Sequence, residues 1–401
     1  MQRGMAVVAF LRQGKLSLDG PLASTGVGTT VPQMNMQTLA QSLFRLIGHL
    51  GTIPAGESRS PRESLRMRRR LVALFLLGAA LTLSGPNASA ETPAEGNQEA
   101  ILWREPDDMA ARSLLYGSGG AEHQPRGKMV FVDEDHLGTN PKFHVRDSQG
   151  TKWTVKMGVE ARPETAAAHL LWAVGYYTDE DYFVPSVTVE GLPSHLQRGQ
   201  NLIGKNGAIS NVRMERHLKD EKKAGHWHWR RNPFTGTRQF NGLRVMMALM
   251  NSWDLKDENN AVYERTSEAD GQHKIYVVSD LGASFGTTGY SWTQAMAKGN
   301  LKSYSHSKFI GKVHPEFVDF NVPTRPALIY FFHLPGLIRR MRMRWIGRHI
   351  PREDARWIGD LLSRLSPEQI QDAFRSAGYS PQEVDGFSKV VQERIAELTR
   401  L

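Results

Sequence analysis

The chain has 401 residues, a formal net charge of +9, no cysteine, 23% charged and 9% aromatic residues. This balance is that of a globular protein, and the lack of cysteine excludes disulfides, thiolate metal sites and a lipid-modified cysteine. The charge does not argue for nucleic acid, because residues 1–66 carry +4 and Arg68, Arg69 and Arg70 a further +3, leaving +2 for residues 91–401.

The first element in chain order is a secretory signal starting at Met67. Three arginines precede an uncharged apolar run from Leu71 to Leu83, and Asn87-Ala88-Ser89-Ala90 ends in a small-x-small cleavage pattern. The run is too short to span a bilayer. A signal belongs at a chain start, so residues 1–66 read as an upstream extension and Met67 as the true start. Export to the periplasm or beyond is expected, with cleavage near Ala90. What remains is enough for one large two-lobed domain or two small ones.

Residues 91–127 are polar. With Gly117-Ser118-Gly119-Gly120 as a flexible joint, they read as a linker carrying one helix around Asp108 to Leu115. Three antiparallel strands follow, at Lys128 to Val132, Phe143 to Arg146 and Trp153 to Met157, with a turn at Asp147-Ser148-Gln149-Gly150. Alternation puts Lys156 on the face opposite Trp153 and Val155. A helix begins around Pro163-Glu164, with an apolar stripe of Ala166, Ala167, Leu170, Leu171 and Val174, and Gly175 stops it.

Tyr182 to Val189 reads as a strand and Asn211 to Arg216 as a shorter one. Residues 217–238 read as loop. Phe240 to Trp253 is a helix with Leu243, Met246, Met247 and Met250 at helical spacing. Strands are expected at Ala261 to Tyr263 and Ile275 to Val278, around a turn at Asp270-Gly271. The rest reads as mostly helical, with N-caps at Ser366 and Ser380, each followed by proline and by a capping-box partner, Gln369 or Glu383.

One ordered constellation carries chemistry. Lys156 lies on the third strand, Glu164 early in the next helix, Asp254 and Asn259 after a later helix, and Asp280-x-Gly282 at a strand end. Over roughly 128–290 the chain resembles the protein-kinase-like superfamily. The usual catalytic loop there, His-Arg-Asp-Leu-Lys-Pro-Glu-Asn, stands as Ser252-Trp253-Asp254-Leu255-Lys256-Asp257-Glu258-Asn259, and Asp-Phe-Gly as Asp280-Leu281-Gly282. It looks most like divergent branches such as phosphoinositide and secretory-pathway kinases.

The resemblance implies an α+β, two-lobed kinase-like fold, with a small antiparallel β-sheet lobe at 128–216 and a larger, mainly helical lobe at 217–401. It implies ATP and Mg²⁺ as cofactors and phosphoryl transfer to a hydroxyl acceptor on a protein, lipid or glycan, chemistry that rests on charge placement. Asp254 would take or orient the hydroxyl proton and Lys256 would neutralise the transferring group. Asn259 and Asp280 would offer oxygens to Mg²⁺. Lys156 would hold the α/β-phosphates, aimed by Glu164, with Glu160 as the alternative. Gly138 would stand in for a glycine-rich loop, since no Gly-x-Gly-x-x-Gly precedes Lys156. Ser252 and Trp253 replace His-Arg, and no Ala-Pro-Glu follows. A non-catalytic exported binding protein on the same fold is the alternative.

Other features are blander. His226 and His228 have a metal-ligand spacing but read as a surface aromatic loop. Arg339, Arg340, Arg342, Arg344 and Arg348 read as the wet face of an amphipathic helix or as a peripheral contact with anionic lipid or an acidic substrate. Tyr330 to Ile338 is too short to span a membrane. No Gly-x-Ser-x-Gly hydrolase elbow occurs.

Overall fold

The computed structural model describes residues 99–401 apart from 139, 220, 268–270, 287–297, 323–340 and 342. The signal at 67–90, the extension 1–66, Arg339, Arg340, Arg342 and the run Tyr330 to Ile338 therefore lie outside the described residues. Every described residue belongs to one unit, Ala94–Leu401. No helix among the described residues is long and apolar enough to cross a membrane.

Strands β2 (Met129–Asp135), β3 (Lys142–Arg146), β4 (Lys152–Met157), β5 (Asp181–Glu190) and β6 (Ala208–Arg216) build the small lobe. The neighbouring strands of the expected small β-sheet lobe pair antiparallel, and the structure adds a closure. The strands close into a barrel in the order β2-β3-β4-β6-β5, and the closing seam, Met129↔Val189 and Val130↔Glu190, is parallel. Closure removes sheet edges and wraps one apolar face inward. Phe143, Val145, Trp153, Val155, Ile209, Val212 and Met214 fill that interior. The turn before β4 is held by Asp147, whose Oδ1 accepts the Gln149 and Thr151 amides and whose Oδ2 accepts Trp153 Nε1 at 2.9 Å. This fixes the alternation, so Thr154 and Lys156 face away from the barrel core.

Helix α1 (Ala161–Ala173) packs on that outer face and starts two residues before Pro163. It ends at Gly175, whose φ of +95° suits glycine. A Cβ there would lie 2.2 Å from the Arg104 carbonyl oxygen, so the preceding segment is built against it. That segment is a correction to the expected linker: residues 99–127 are folded. Strand β1 (Glu99–Ile101) pairs in parallel with β9 (Gly271–Val278), Leu102, Met109 and Leu114 are buried, and the expected helix is only the turn Met109–Ala111. The glycine joint is a short helical turn, Gly117–Gly119, with both end glycines buried. The apolar residues here have no period, so composition alone suggested a linker.

The large lobe begins with β7 (Glu221–Gly225), inside the stretch expected to be loop. It continues with α2 (Arg238–Leu249), β8 (Asn260–Ser267) and β9, giving the sheet β1-β9-β8-β7. Helix α2 is capped by Thr237 Oγ1, which accepts the Phe240 amide. It stops short of the expected Trp253, because Asn251 turns to φ +52° and donates to the Gly286 carbonyl. Then come α3 (Leu301–Ser305), the small sheet β10 (Ile310–Val313), β11 (Phe317–Phe320) and β12 (Ile350–Pro351), and helices α4 (Arg352–Leu362), α5 (Pro367–Ser376) and α6 (Pro381–Thr399). The expectation of mostly helix after residue 290 missed those three strands, each too short to show a period. Both capping boxes, at Ser366 and Ser380, are present as expected.

The core under α2 is aromatic, with Phe285, Tyr304, Phe374 and Phe387 buried together and the last two stacked at 5.0 Å. Buried Arg394 on α6 donates to the carbonyl of Leu249 (2.6 Å), to Asn251 Oδ1 (3.2 Å) and to Ser307 Oγ (2.7 Å). This locks the end of α2, from which the Asp254 loop departs.

Candidate active site

Lys156 sits on β4 with only 6% of its surface exposed. Its ammonium Nζ lies 2.8 Å from Glu164 Oε2, 2.9 Å from Glu160 Oε2 and 3.1 Å from Asp280 Oδ1. Glu160 and Glu164 flank the first turn of α1. Asp280 follows β9, 124 residues away in sequence from Lys156. Glu164 and Glu160, the two partners the sequence offered for the lysine, both lie within ion-pair distance of it.

The Asp254 loop is joined to this cluster by backbone. The Asn259 carbonyl accepts the amides of Ser279 (3.1 Å) and Asp280 (3.3 Å), and Asn259 Nδ2 donates to the Asp254 carbonyl at 2.6 Å. Asp254 Oδ2 pairs with Lys256 Nζ at 2.8 Å. A polar cleft of about 660 Å³ is lined by Gly138, Asn140, Lys156, Glu164, Asn259 and Asp280, among others. Asp254 and Lys256 do not line it; they connect to it through Asn259. Gly138, at φ +72°, has open space where a side chain would project, and its carbonyl accepts Arg198 Nη1 at 2.6 Å. A recess of similar size, about 700 Å³, lies away from Lys156, between β1, β9 and the start of α2.

Sequence reasoning missed two buried cations that support the site, Arg213 and Lys298. Arg213 on β6 is directly across from Lys156 in the β4–β6 register and is 4% exposed. Its Nη1 lies 2.8 Å from Asp181 Oδ1 and 3.2 Å from Glu164 Oε1, and its Nη2 2.6 Å from Glu215 Oε2. Glu164 is thus gripped between two buried cations. Lys298, also buried, pairs with Glu160, and Asn140 donates to the same carboxylate. Gly282 completes the junction, since a Cβ there would lie 2.6 Å from Glu160 Cβ. Glu160 so ties together the Gly138 loop, β4 and the segment after Asp280. Arg213 alternates with Val212 and Met214 as any strand polar residue would, and Lys298 carries no local signal. Only the fold shows their partners. His226 and His228 do not form a metal site: His226 bonds the Asn260 carbonyl (2.8 Å) and His228 the Asp257 carboxylate (3.0 Å).

The electrostatics follow from burial set against opposite charge. Burial disfavours the Lys156 ammonium, but the charges of Glu164, Asp280 and Glu160 outweigh it and raise its pKa above the usual lysine value. Burial also pushes Asp280 up, yet Lys156 beside it brings the carboxyl below its ordinary range. Burial lifts Glu164 above the usual carboxylate range, with Arg213 and Lys156 pulling against it. At neutral pH Lys156 is charged and Asp280 ionised. The carboxylate oxygens of Glu160, Glu164 and Asp280 lie within 4.8 Å of one another, gathered around the Lys156 ammonium.

No protein-family model matches the chain, and no curated protein matches it. Among solved structures it is similar to the Helicobacter pylori proinflammatory kinase CtkA, at 10% identity and a TM-score of 0.31 over 69% of this chain and 99% of that one. It is similar to the Golgi casein kinase, at 11% identity and a TM-score of 0.28 over 67% and 75%. It is also similar to the Rio2 kinase of Chaetomium thermophilum, at 10% identity and a TM-score of 0.28 over 67% and 72%. All three are kinases. At these TM-scores no residue's role follows from the likeness.

Proposed function

We propose that this protein is an exported kinase-like phosphotransferase, moving a phosphoryl group from ATP to a hydroxyl acceptor. One observation carries the reading: residues 124 positions apart, Lys156 and Asp280, meet within 3.1 Å in a polar cleft, with Glu164 behind the lysine and Asn259 bonded to the Asp280 backbone. Asp280 keeps 36% of its side chain exposed and lines the cleft.

The donor set fits the cofactors. Lys156 stays cationic and suits the α/β-phosphates; Glu164, held by Arg213, aims it. Asp280 stays ionised and, with Asn259, offers oxygens to Mg²⁺, which when bound supplies positive charge against the phosphates. In the transfer, the acceptor oxygen forms a bond to the γ-phosphorus as the bond to the ADP oxygen breaks. Asp254 takes the hydroxyl proton and Lys256 offsets charge on the moving group. Ser252 and Trp253, in place of the His-Arg of the kinase motif, favour the second reading, a nucleotide-binding protein without turnover.

Melting of residues 91–401 with Mg²⁺ and ATP tests this. At a hundredfold excess over Kd, binding to the native state is worth about 2.7 kcal/mol, or roughly 5 °C. Asp280→Ala should abolish the shift. Asp254→Ala should keep the shift and lose turnover. A shift without wild-type turnover would establish the binding protein; no shift with any nucleotide would sink both readings.

A further inference from the structure

Buried Lys298 takes no part in the transfer steps above. Its Nζ pairs with Glu160 Oε1, while Glu160 Oε2 pairs with Lys156 Nζ at 2.9 Å. Glu160 is therefore shared between two ammonium groups. Lys156 itself faces three carboxylates, those of Glu160, Glu164 and Asp280. Glu164 shares its charge with Arg213 at 3.2 Å, and Glu160 shares its charge with Lys298. Asp280 has no second cation within ion-pair distance among the described residues. Of the three acids, it is the one left to a metal.

The backbone around Lys298 is held by the segment that follows Asp280. The Gly299 amide donates to the Ser284 carbonyl at 2.8 Å, and the Asn300 amide to the Phe285 carbonyl at 2.8 Å. The Phe285 amide donates in turn to the Met250 carbonyl at 2.7 Å, which ties the same segment to the end of α2. The Lys298 ammonium also lies 5.9 Å from the centre of the Trp253 ring, at the outer limit of a cation–π contact. Trp253 packs against Ala283, whose carbonyl accepts the Trp253 amide at 3.2 Å, and Trp253 directly precedes Asp254. Lys298 thus stands where the start of α1, the Asp254 loop and the segment after Asp280 meet.

We propose that Lys298 is a positioning residue for the nucleotide: it offsets the charge of Glu160 and so keeps Lys156 available to the phosphates. A triphosphate is strongly anionic, and three carboxylates around one ammonium repel it. The low polarity around buried groups extends the reach of that repulsion. Lys298 offsets one of the carboxylates without entering the cleft, whose lining does not include it. A lysine on the surface would be screened by water and salt, whereas a buried one is screened much less. This inference rests on the phosphotransferase reading and adds to it a residue outside the kinase-like motifs.

Calorimetric titration of residues 91–401 with ATP at saturating Mg²⁺, on variants shown to be folded by circular dichroism, tests it. K298Q keeps a donor facing Glu160 and removes the charge, so Kd should rise about tenfold, the size of one buried charge acting across several ångströms. E160Q/K298Q removes both charges of the pair and should bring Kd back to within about twofold of wild type, because no buried charge is left uncompensated. A lysine that served only packing would leave the double variant at least as weak as K298Q. That result would overturn the proposal, as would equal Kd for K298Q and wild type. Should K298Q fail to fold, E160Q is read instead: with the carboxylate gone and Lys298 kept, Kd should fall, and a rise would overturn the proposal. Wild type that binds no nucleotide would sink the phosphotransferase reading and this inference with it; wild-type binding with an unmoved K298Q sinks this inference alone.

Discussion

Arg213 shows how a single side chain conditions the cleft. Its guanidinium touches Glu164, Asp181 and Glu215, and all but Glu215 are almost fully buried. Removing one member of a buried charge network leaves its partners uncompensated, at a cost of about 3–5 kcal/mol. Arg213→Met should lower the urea midpoint accordingly, while Arg213→Lys, which keeps the charge and loses the fork, should lose less. The lysine variant should also bind nucleotide more weakly, because Glu164 no longer holds its aim. A methionine variant as stable as the wild type would remove Arg213 from this role. The same residue marks the limit of legibility. Lys156, Glu164, Asp254, Asn259 and Asp280 were nameable because their spacing matches a known pattern. Arg213, Glu215 and Lys298 match none, and their importance lies in cross-strand register and in a contact 138 residues apart.

At the scale of elements, α1 is the piece around which the others are hung. His169, buried on it, has Nδ1 2.7 Å from the Leu114 carbonyl and 3.0 Å from Ser376 Oγ, and Nε2 3.0 Å from the Asp181 carbonyl. One imidazole so joins the 99–127 segment, α5 and β5. Burial holds its pKa below the usual histidine value. The sign follows directly: near and below pH ~6.5 the unfolded chain takes up a proton that the folded chain refuses. This contribution is complete above the unfolded value and is lost as pH falls toward the folded one. Stability should fall on acidification from pH ~7 to ~5 by up to about 1.4 kcal/mol per pH unit from this group. Melting curves across that range should be flatter for His169→Asn; an unchanged slope would show that the histidine is not the titrating group. Periodicity foretold α1, α2, β3 and β4 because each has a buried face several residues long. It could not foretell β1, β10, β11 and β12, at two to four residues each.

For the whole molecule, the folded unit places a bound on processing. Strand β1 begins at Glu99 and pairs with β9, so a cut well beyond that point would strip a strand from the large-lobe sheet. Cleavage near Ala90 leaves the described structure intact. If the chain is exported through the signal expected at Met67, N-terminal sequencing of the product should read from close to Glu91. A product that retains Leu22 or Phe44 would refute both the signal and the start at Met67.

The amino-acid order by itself settled what is local: which face of β4 carries Lys156, where α1 runs, how Ser366 and Ser380 start their helices, and that residues 91–401 are nearly neutral. Such features depend on neighbours a few positions apart, so periodicity and capping chemistry reveal them. Tertiary structure alone decided the closure of the barrel, the packing of the 99–127 segment through Leu102, Met109 and Leu114, and the double grip of Lys156 and Arg213 on Glu164. These arise from contacts between segments tens to hundreds of residues apart, for which the chain carries no repeating local mark.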